Sequence, residues 1–287
     1  MSEWKEYKLG ELIETNARSI GKNYPNSKIL YLDTGSITCN SIDTYQEFEI
    51  DKAPSRAKRL VNQDDIIYSS VRPNQLHYGY ITNPPDNLVV STGFVTITCN
   101  PKQLNAKFLY YYLTQLHITE FLHSVAEAST SAYPSLKPTD IKALDIEIPS
   151  LDEQRRIASI LTSLDDKIDL LRRENATLEA MAETLFRQWF VEEANEEWEE
   201  GKLGDLVEVK YGKDHKKLLD GKIPVIGSGG IMRYADTALY DKESVLIPRK
   251  GTLNNVMYMN EPFWTVDTMF YTEMRRPNIA KFVFHYL

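Results

Sequence analysis

The sequence predicts an α+β fold in which one long helix joins two similar globular domains. Three observations lead to this prediction: short β-rich runs broken by proline and glycine turns, an internal repeat, and a heptad pattern between the two copies. The 287 residues suffice for about two domains, and 42% hydrophobic residues allow each a core. We expect a first domain at residues 1–148, a helix at 149–197 and a second domain at 198–287.

The first domain begins with strands and ends with helices. Residues 65–68, 88–90 and 94–97 are rich in Val, Ile, Tyr and Phe and are separated by turn residues, which is typical of strands. A helix should begin after Asn105 and carry Phe108, Tyr112 and Leu116 on one buried face.

The connecting helix has the clearest pattern. Ser150 and Glu153 form a capping box, and residues 150–200 contain no Gly or Pro. Apolar residues then alternate at spacings of four and three, which favours a coiled coil over a plain amphipathic helix with a wider stripe. The seam contains Ile157, Leu161, Leu164, Ile168, Leu171, Asn175, Leu178, Ala182, Leu185 and Trp189. Asn175 either fixes the pairing register or is a solvated residue where the helix frays. Because an apolar seam favours burial, it should pair between molecules, dock on a globular domain or be covered by a partner subunit. Of these we expect self-association through this helix, in an antiparallel arrangement.

The repeat defines the second domain. Residues 4–13 (WKEYKLGELI) recur at 198–207 (WEEGKLGDLV), and residues 106–113 (AKFLYYYL) recur at 280–287 (AKFVFHYL). The two echoes keep their order, which favours tandem duplication. The first copy continues well beyond residue 113, so we expect the second domain to be incomplete.

Composition excludes several classes. Cys39 and Cys99 are the only cysteines, which suits a reducing cytoplasm and argues against a disulfide scaffold or a cysteine zinc site. No apolar run is long enough to span a membrane, and no metal-binding histidine motif occurs. The net charge of −8 does not oppose nucleic-acid binding, because residues 151–200 alone hold 14 acidic against 6 basic residues.

No catalytic constellation is evident. In residues 83–86 (NPPD), Asp86 stands where a base-binding loop of an amino-methyltransferase would need a stacking ring. The glycine run at 227–230 lacks the Lys and Ser/Thr of a phosphate loop. We therefore predict that this chain is not an enzyme and binds no metal or cofactor itself.

The chain resembles the specificity subunit of type I restriction-modification systems. The matching segments are the helix entry at 148–154 (IPSLDEQ) and 164–168 (LDDKI), and the helix exit at 185–190 (LFRQWF). The domain starts at 4–11 and 198–205 also match, as do 69–73 (SSVRP) and 249–251 (RKG). One difference is that the family has two long helices whereas this chain has one.

The resemblance implies a non-catalytic, cytoplasmic DNA reader. Each target-recognition domain would read one half of a split, asymmetric site in double-stranded DNA, and the helix would act as spacer and docking surface. Type I methyltransferase subunits, which bind S-adenosylmethionine, and restriction subunits would supply the chemistry. The alternative is a helical assembly adaptor whose globular domains bind protein rather than DNA.

Direct readout needs Arg, Lys, Asn or Gln at base edges. The candidates in the first domain are Arg72, Asn74, Gln75 and His77, then the basic cluster Arg56, Lys58 and Arg59, and the weaker Ser131 and Tyr133. In the second domain they are Arg249, Lys250 and the lesser Arg233. The Arg72 loop could equally be an ordinary surface loop, and the basic cluster could equally be solvated surface.

Overall fold

The structure, a computed structural model, describes residues 4–21, 23–128 and 135–287. It contains two compact units, Met1–Leu170 and Leu171–Leu287, and the long helix contributes to both. The α+β prediction is confirmed. The three-segment boundaries at 148/149 and 197/198 stay a prediction.

The first unit contains strands at both ends and helices between them. In chain order it consists of β1 (Lys5–Lys8), β2 (Ile13–Thr15), β3 (Lys28–Leu32), β4 (Ile37–Thr38), β5 (Ser41–Ile42), β6 (Gln46–Glu49), β7 (Ala57–Leu60), β8 (Ile66–Ser69), β9 (Tyr78–Tyr80), β10 (Leu88–Ser91), β11 (Phe94–Cys99), α1 (Ala106–Leu113), α2 (Leu116–Glu127), α3 (Pro138–Lys142) and β12 (Asp145–Ile148). The strands predicted around residues 66, 88 and 94 are confirmed as β8, β10 and β11.

The helix α4 (Leu151–Arg187) extends for 37 residues and continues as a π-helical turn at Gln188–Glu192. At ~1.5 Å per residue, α4 is about 56 Å long. The Ser150 hydroxyl accepts a hydrogen bond from the Glu153 amide at 3.4 Å, as the predicted cap requires.

The second unit repeats the strand pattern of the first. It contains α5 (Leu203–Leu206), β13 (Val207–Tyr211), β14 (Asp220–Gly227), β15 (Gly230–Ala235), β16 (Ser244–Pro248), β17 (Met257–Met259), β18 (Trp264–Thr265), β19 (Met269–Met274) and α6 (Ala280–Tyr286).

The sheets demonstrate the duplication. One antiparallel sheet has the order β2-β11-β8-β9 in the first unit and β13-β19-β16-β17 in the second. The buried Ile13 pairs with Cys99, and its equivalent Val207 pairs with Met274. The other sheet is β6-β3-β10-β7 in the first unit and β15-β14-β18 in the second, each with one parallel pair. The sequence repeat is therefore a repeat of structure.

One prediction about the helices is wrong. The Asn105 side chain caps α1 by accepting from the Phe108 amide, as expected, but α1 ends at Leu113. Leu116 begins a separate helix and is 70% exposed, because the break at Thr114 and Gln115 turns it away from the buried face.

Candidate nucleic-acid interface

The loop after β8 carries the main predicted site of the first unit. All four residues of β8 are buried, so the strand is a fixed base from which the loop projects. Arg72 has a φ of 48°, in the left-handed region, and precedes a short 3-10 turn at Pro73–Gln75. A non-glycine residue pays roughly 1–2 kcal/mol for that conformation. Such strain is found mostly at functional sites, where the surrounding structure maintains it.

Hydrogen bonds fix the base of this loop. The Ser69 amide donates to the His77 carbonyl at 2.9 Å, and the Ser70 hydroxyl donates to the Gly93 carbonyl at 2.8 Å. The Leu136 amide donates to the Ser70 carbonyl at 2.7 Å. Hydrogen bonds to Gly93 and to Leu136 therefore fix the backbone at the start of the loop, from which the exposed side chains project.

The structure brings three of the four predicted side chains together at the surface. Arg72, Asn74 and Gln75 are exposed, and within the described part of the chain the Arg72 guanidinium has no hydrogen bond or ion pair. His77 differs, because its Nδ1 lies 2.6 Å from the Ile37 carbonyl oxygen. That ring nitrogen anchors the β4–β5 hairpin and is not free to contact a base.

The basic cluster of the first unit lies on and before the edge strand β7. Arg56 and Lys58 are exposed, whereas Arg59 is half-buried with its Nε atom unpartnered. The Arg56 carbonyl accepts from the Thr92 amide at 2.8 Å. Thr92 precedes Gly93, whose carbonyl accepts a hydrogen bond from Ser70, so two hydrogen bonds connect Arg56 through residues 92–93 to the base of the Arg72 loop.

The second unit places its predicted site at the equivalent position. Pro248 pairs with Met269 as Ser69 pairs with Phe94, so the loops start at the same register. Three residues later, Gly251 has a φ of 84° where the first unit has Arg72. The left-handed turn is thus common to both units, and its residue type differs.

Arg249 and Lys250 are both exposed in this loop. The Arg249 guanidinium carbon lies 5.6 Å from the centre of the Tyr211 ring, which packs edge-on against Phe270. A cation over an aromatic face is attracted by the ring quadrupole. The stack holds Arg249 on the surface, and within the described part of the chain its guanidinium has no hydrogen bond or ion pair.

A second basic loop was missed by the sequence interpretation. Residues 213–217 (KDHKK) follow β13 and begin beside Gly212, where an added Cβ would lie 2.0 Å from the Val266 carbonyl oxygen. His215 and Lys216 line an open cavity of about 580 Å³ together with Ser228 and Thr268. The Arg249 amide donates to the Thr268 carbonyl at 2.8 Å, so the two basic loops are neighbours. The sequence signal that could have identified this loop is its four basic side chains within five residues.

Two other candidates are placed differently. The Arg233 Nη2 atom donates to the Leu218 carbonyl at 2.9 Å and to Asp220 at 3.2 Å, which ties β15 to the preceding loop. Its guanidinium is therefore engaged within the fold. Ser131 and Tyr133 lie outside the described residues.

The predicted helix seam is largely at the surface. Ile157 and Leu161 are half-buried against the first unit. Leu164 is 57% exposed and Leu171 is 45% exposed. Ile168, Asn175, Leu178, Leu185 and Trp189 are exposed as well. No helix among the described residues is long and apolar enough to cross a membrane.

A protein-family model matches both units of the chain. The model described as "Type I restriction modification DNA specificity domain" matches residues 1–180 and again residues 195–287. These two matches correspond to the two copies of the repeat.

Two specificity subunits of type I restriction enzymes are similar in sequence to this chain. The chain is 35% identical over 193 residues to the type I restriction enzyme HindI specificity subunit of Haemophilus influenzae, covering 67% of this chain and 42% of that protein. It is 27% identical over 251 residues to the MjaIX specificity subunit of Methanocaldococcus jannaschii, covering 74% and 56%. The chain thus spans about half the length of these relatives.

Solved structures share the fold. The S subunit of a type I restriction-modification system from M. genitalium superposes with a TM-score of 0.59 at 21% identity, covering 99% of this chain and 76% of that one. The HsdS subunit from Thermoanaerobacter tengcongensis gives a TM-score of 0.52 at 20% identity, covering 99% and 78%.

Proposed function

Because the chain belongs to the type I restriction modification DNA specificity family, we propose that it recognises DNA sequence for a restriction-modification complex without performing catalysis. Each unit would contact one half of a split, asymmetric site in double-stranded DNA. The HindI and MjaIX relatives described above are both specificity subunits, which supports this assignment.

One observation carries the proposal: both units project exposed basic side chains from a left-handed loop at the same register position. Arg and Lys bind phosphates, and Arg also contacts the O6 and N7 atoms of guanine. Different residues on one shared scaffold are what two half-sites of different sequence require. Arg72 with Asn74 and Gln75 would read one half, and Arg249 with Lys250 the other.

The long helix supports a spacer and docking role. A helix of about 56 Å corresponds to roughly 16 base pairs at ~3.4 Å each, more than one turn of DNA. Its exposed apolar seam offers a surface to other helices. Type I methyltransferase subunits would dock there and bind S-adenosylmethionine, and restriction subunits would join the assembly. The domains of this chain would then supply specificity alone.

The salt dependence of DNA binding tests this proposal. We expect affinity for duplex DNA to fall steeply with salt, since each neutralised phosphate contributes a slope of ~0.9 in log K against log salt. Arg249→Ala combined with Lys250→Ala should lower that slope by up to ~2. The matched control is Lys242→Ala, an exposed lysine before the opposite end of β16, which should leave the slope unchanged.

Two results would oppose DNA reading. A chain that binds no DNA, alone or with its methyltransferase subunit, would favour the alternative of a protein-binding assembly adaptor. Methyl transfer by the purified chain would overturn the non-catalytic assignment.

A further inference from the structure

The hairpin formed by β14 and β15 ends beside the basic loops of the second unit. Ser228, in the turn of this hairpin, lines the same cavity as Lys216. A Cβ added at Gly251 would lie 2.4 Å from the Ser228 hydroxyl, so the backbone of the Gly251 loop packs on that hydroxyl. The hairpin turn therefore adjoins both basic loops, residues 213–217 and residues 249–251.

Met232 is an extra residue in β15, just after this turn. Val225 pairs with Arg233 and Ile226 pairs with Ile231, which leaves Met232 unpaired in a β-bulge. A bulge bends its strand and changes the direction of a side chain, and bulges are frequent beside functional sites. Met232 lines the cavity and is 59% exposed. The bulge thus presents an apolar side chain among the basic loops.

A glycine gives the Met232 side chain its place. A Cβ on the buried Gly227 would lie 2.7 Å from the Met232 Sδ atom, so a larger residue there would displace the sulfur. In the first unit the equivalent position, one residue after the parallel strand pair, is Asp33. The Asp33 carboxylate accepts hydrogen bonds from the Gly35 amide at 2.8 Å and from the Gln46 side chain at 3.2 Å. The first unit therefore has internal polar contacts where the second exposes an apolar side chain.

The groups around Met232 suit a nucleic acid. Residues 213–217 and 249–250 contain five Lys and Arg and one Asp, and Asp267 adds a second carboxylate to the cavity. The excess of positive charge attracts phosphates. The His215 side chain also lines the cavity, and its buried Nδ1 atom has no hydrogen-bond partner in the described part of the chain. A bound polar group would satisfy that atom.

We propose that Met232 recognises a thymine in the half-site of the second unit by packing against its C5-methyl group in the major groove. Apolar side chains contact that methyl group, which distinguishes thymine from the other bases of unmodified DNA. The basic loops on either side would hold the phosphates and the polar base edges. This inference rests on the proposed function, because the second unit must bind DNA, and it adds the identity of one base.

Deoxyuridine tests the proposal, because it pairs as thymidine does and lacks only the methyl group. A site is first selected from a random pool, and its thymines are then replaced by uracil one at a time. The Kd of each duplex for the full chain is measured by fluorescence competition at fixed salt. We expect one replacement to weaken binding by the wild-type chain about fourfold, which corresponds to ~0.8 kcal/mol for one methyl-sized group.

Variants of the hairpin then identify the residue that contacts the methyl group. Met232→Ala should bind the thymine and uracil duplexes equally, whereas Met232→Leu keeps an apolar side chain and should keep the preference for thymine. Ile231→Ala is the matched control, because Ile231 is also 59% exposed and pairs with the buried Ile226. This control should keep the wild-type preference. Circular dichroism of each variant establishes that it is folded.

Three outcomes would overturn the proposal while the proposed function stands. The first is a wild-type chain that binds the selected DNA but is insensitive to every uracil replacement. The second is a Met232→Ala variant that keeps the preference for thymine, whatever affinity it loses, which would make Met232 a wedge or a general packing contact. The third is loss of the preference in Ile231→Ala as well, which would assign it to the shape of the hairpin. A chain that binds no DNA would overturn both the proposal and the proposed function.

Discussion

Replacing Arg72 separates backbone strain from DNA recognition. Arg72→Ala removes the guanidinium but keeps a Cβ at a φ of 48°. Arg72→Gly removes both. The second unit already has glycine at the equivalent position, with a φ of 84° at Gly251. The two variants therefore differ in the energy of the left-handed turn and in the chain entropy of the unfolded state.

The difference in stability follows from two opposing terms. Relief of the left-handed conformation contributes roughly 1–2 kcal/mol, and the extra chain entropy of unfolded glycine offsets about 0.5–1 kcal/mol. We expect the free energy of unfolding of Arg72→Gly to exceed that of Arg72→Ala by up to about 1.5 kcal/mol in urea titrations. A glycine variant that is less stable than the alanine variant would refute the argument from strain.

DNA binding should respond equally to the two replacements, because both variants lack the guanidinium. If Arg72 contacts a guanine, each should lose ~1–3 kcal/mol of discrimination between the specific site and random DNA. Fluorescence competition at fixed salt measures this, with the site first selected from a random pool. Arg72→Lys keeps charge without bidentate geometry and should recover phosphate binding only. An equal loss on both DNAs would make Arg72 a phosphate contact, and no loss would return it to ordinary surface.

Three further predictions concern other parts of the chain. Burial raises the pKa of the Cys99 thiol to about 12, while Cys39 is exposed, so a thiol reagent at pH 8 should modify one cysteine in the native chain and two after unfolding. Burial and the Asp165 hydrogen bond raise the pKa of Tyr111 to about 12. The Tyr111 hydroxyl should therefore stabilise the fold fully below the pKa of an unfolded tyrosine, ~10, and this stabilisation should be lost as the pH rises from ~10 to 12. Tyr111→Phe should make the free energy of unfolding less dependent on pH in that range. The exposed seam should cause self-association, which Leu164→Asp with Leu171→Asp should abolish in sedimentation without unfolding the first unit; a wild-type chain that stays monomeric at high concentration would contradict this.

The sequence patterns predicted the strands that the repeat aligns and the start of the long helix. The offset of the repeat aligns Ile13 with Val207, and the structure pairs both with the equivalent strand. The cap at Ser150 located the start of α4 to within two residues of the predicted 149, whereas α4 ends at Arg187, ten residues before the predicted end at 197, and continues only as a π-helical turn to Glu192. The helix signal depended on neighbours in sequence, and the repeat signal depended on comparing two distant segments of the chain.

Features that depend on distant contacts escaped sequence reasoning. The left-handed Arg72 is maintained by bonds of Ser70 to Gly93 and Leu136, which no local motif reveals. His77 was predicted to face DNA but anchors Ile37, some forty residues earlier. The basic run at 213–217 is a candidate site only in the folded chain, because residues next to β14 and β19 line the same cavity as His215 and Lys216.

Footprinting of the selected DNA with the cognate methyltransferase subunits present tests the central claim most directly. We predict two protected tracts separated by an unprotected spacer, with Arg72→Ala weakening protection of one tract and Arg249→Ala with Lys250→Ala weakening the other. Protection by the methyltransferase subunits alone, or footprints that neither variant changes, would contradict the conclusion that this chain reads the DNA.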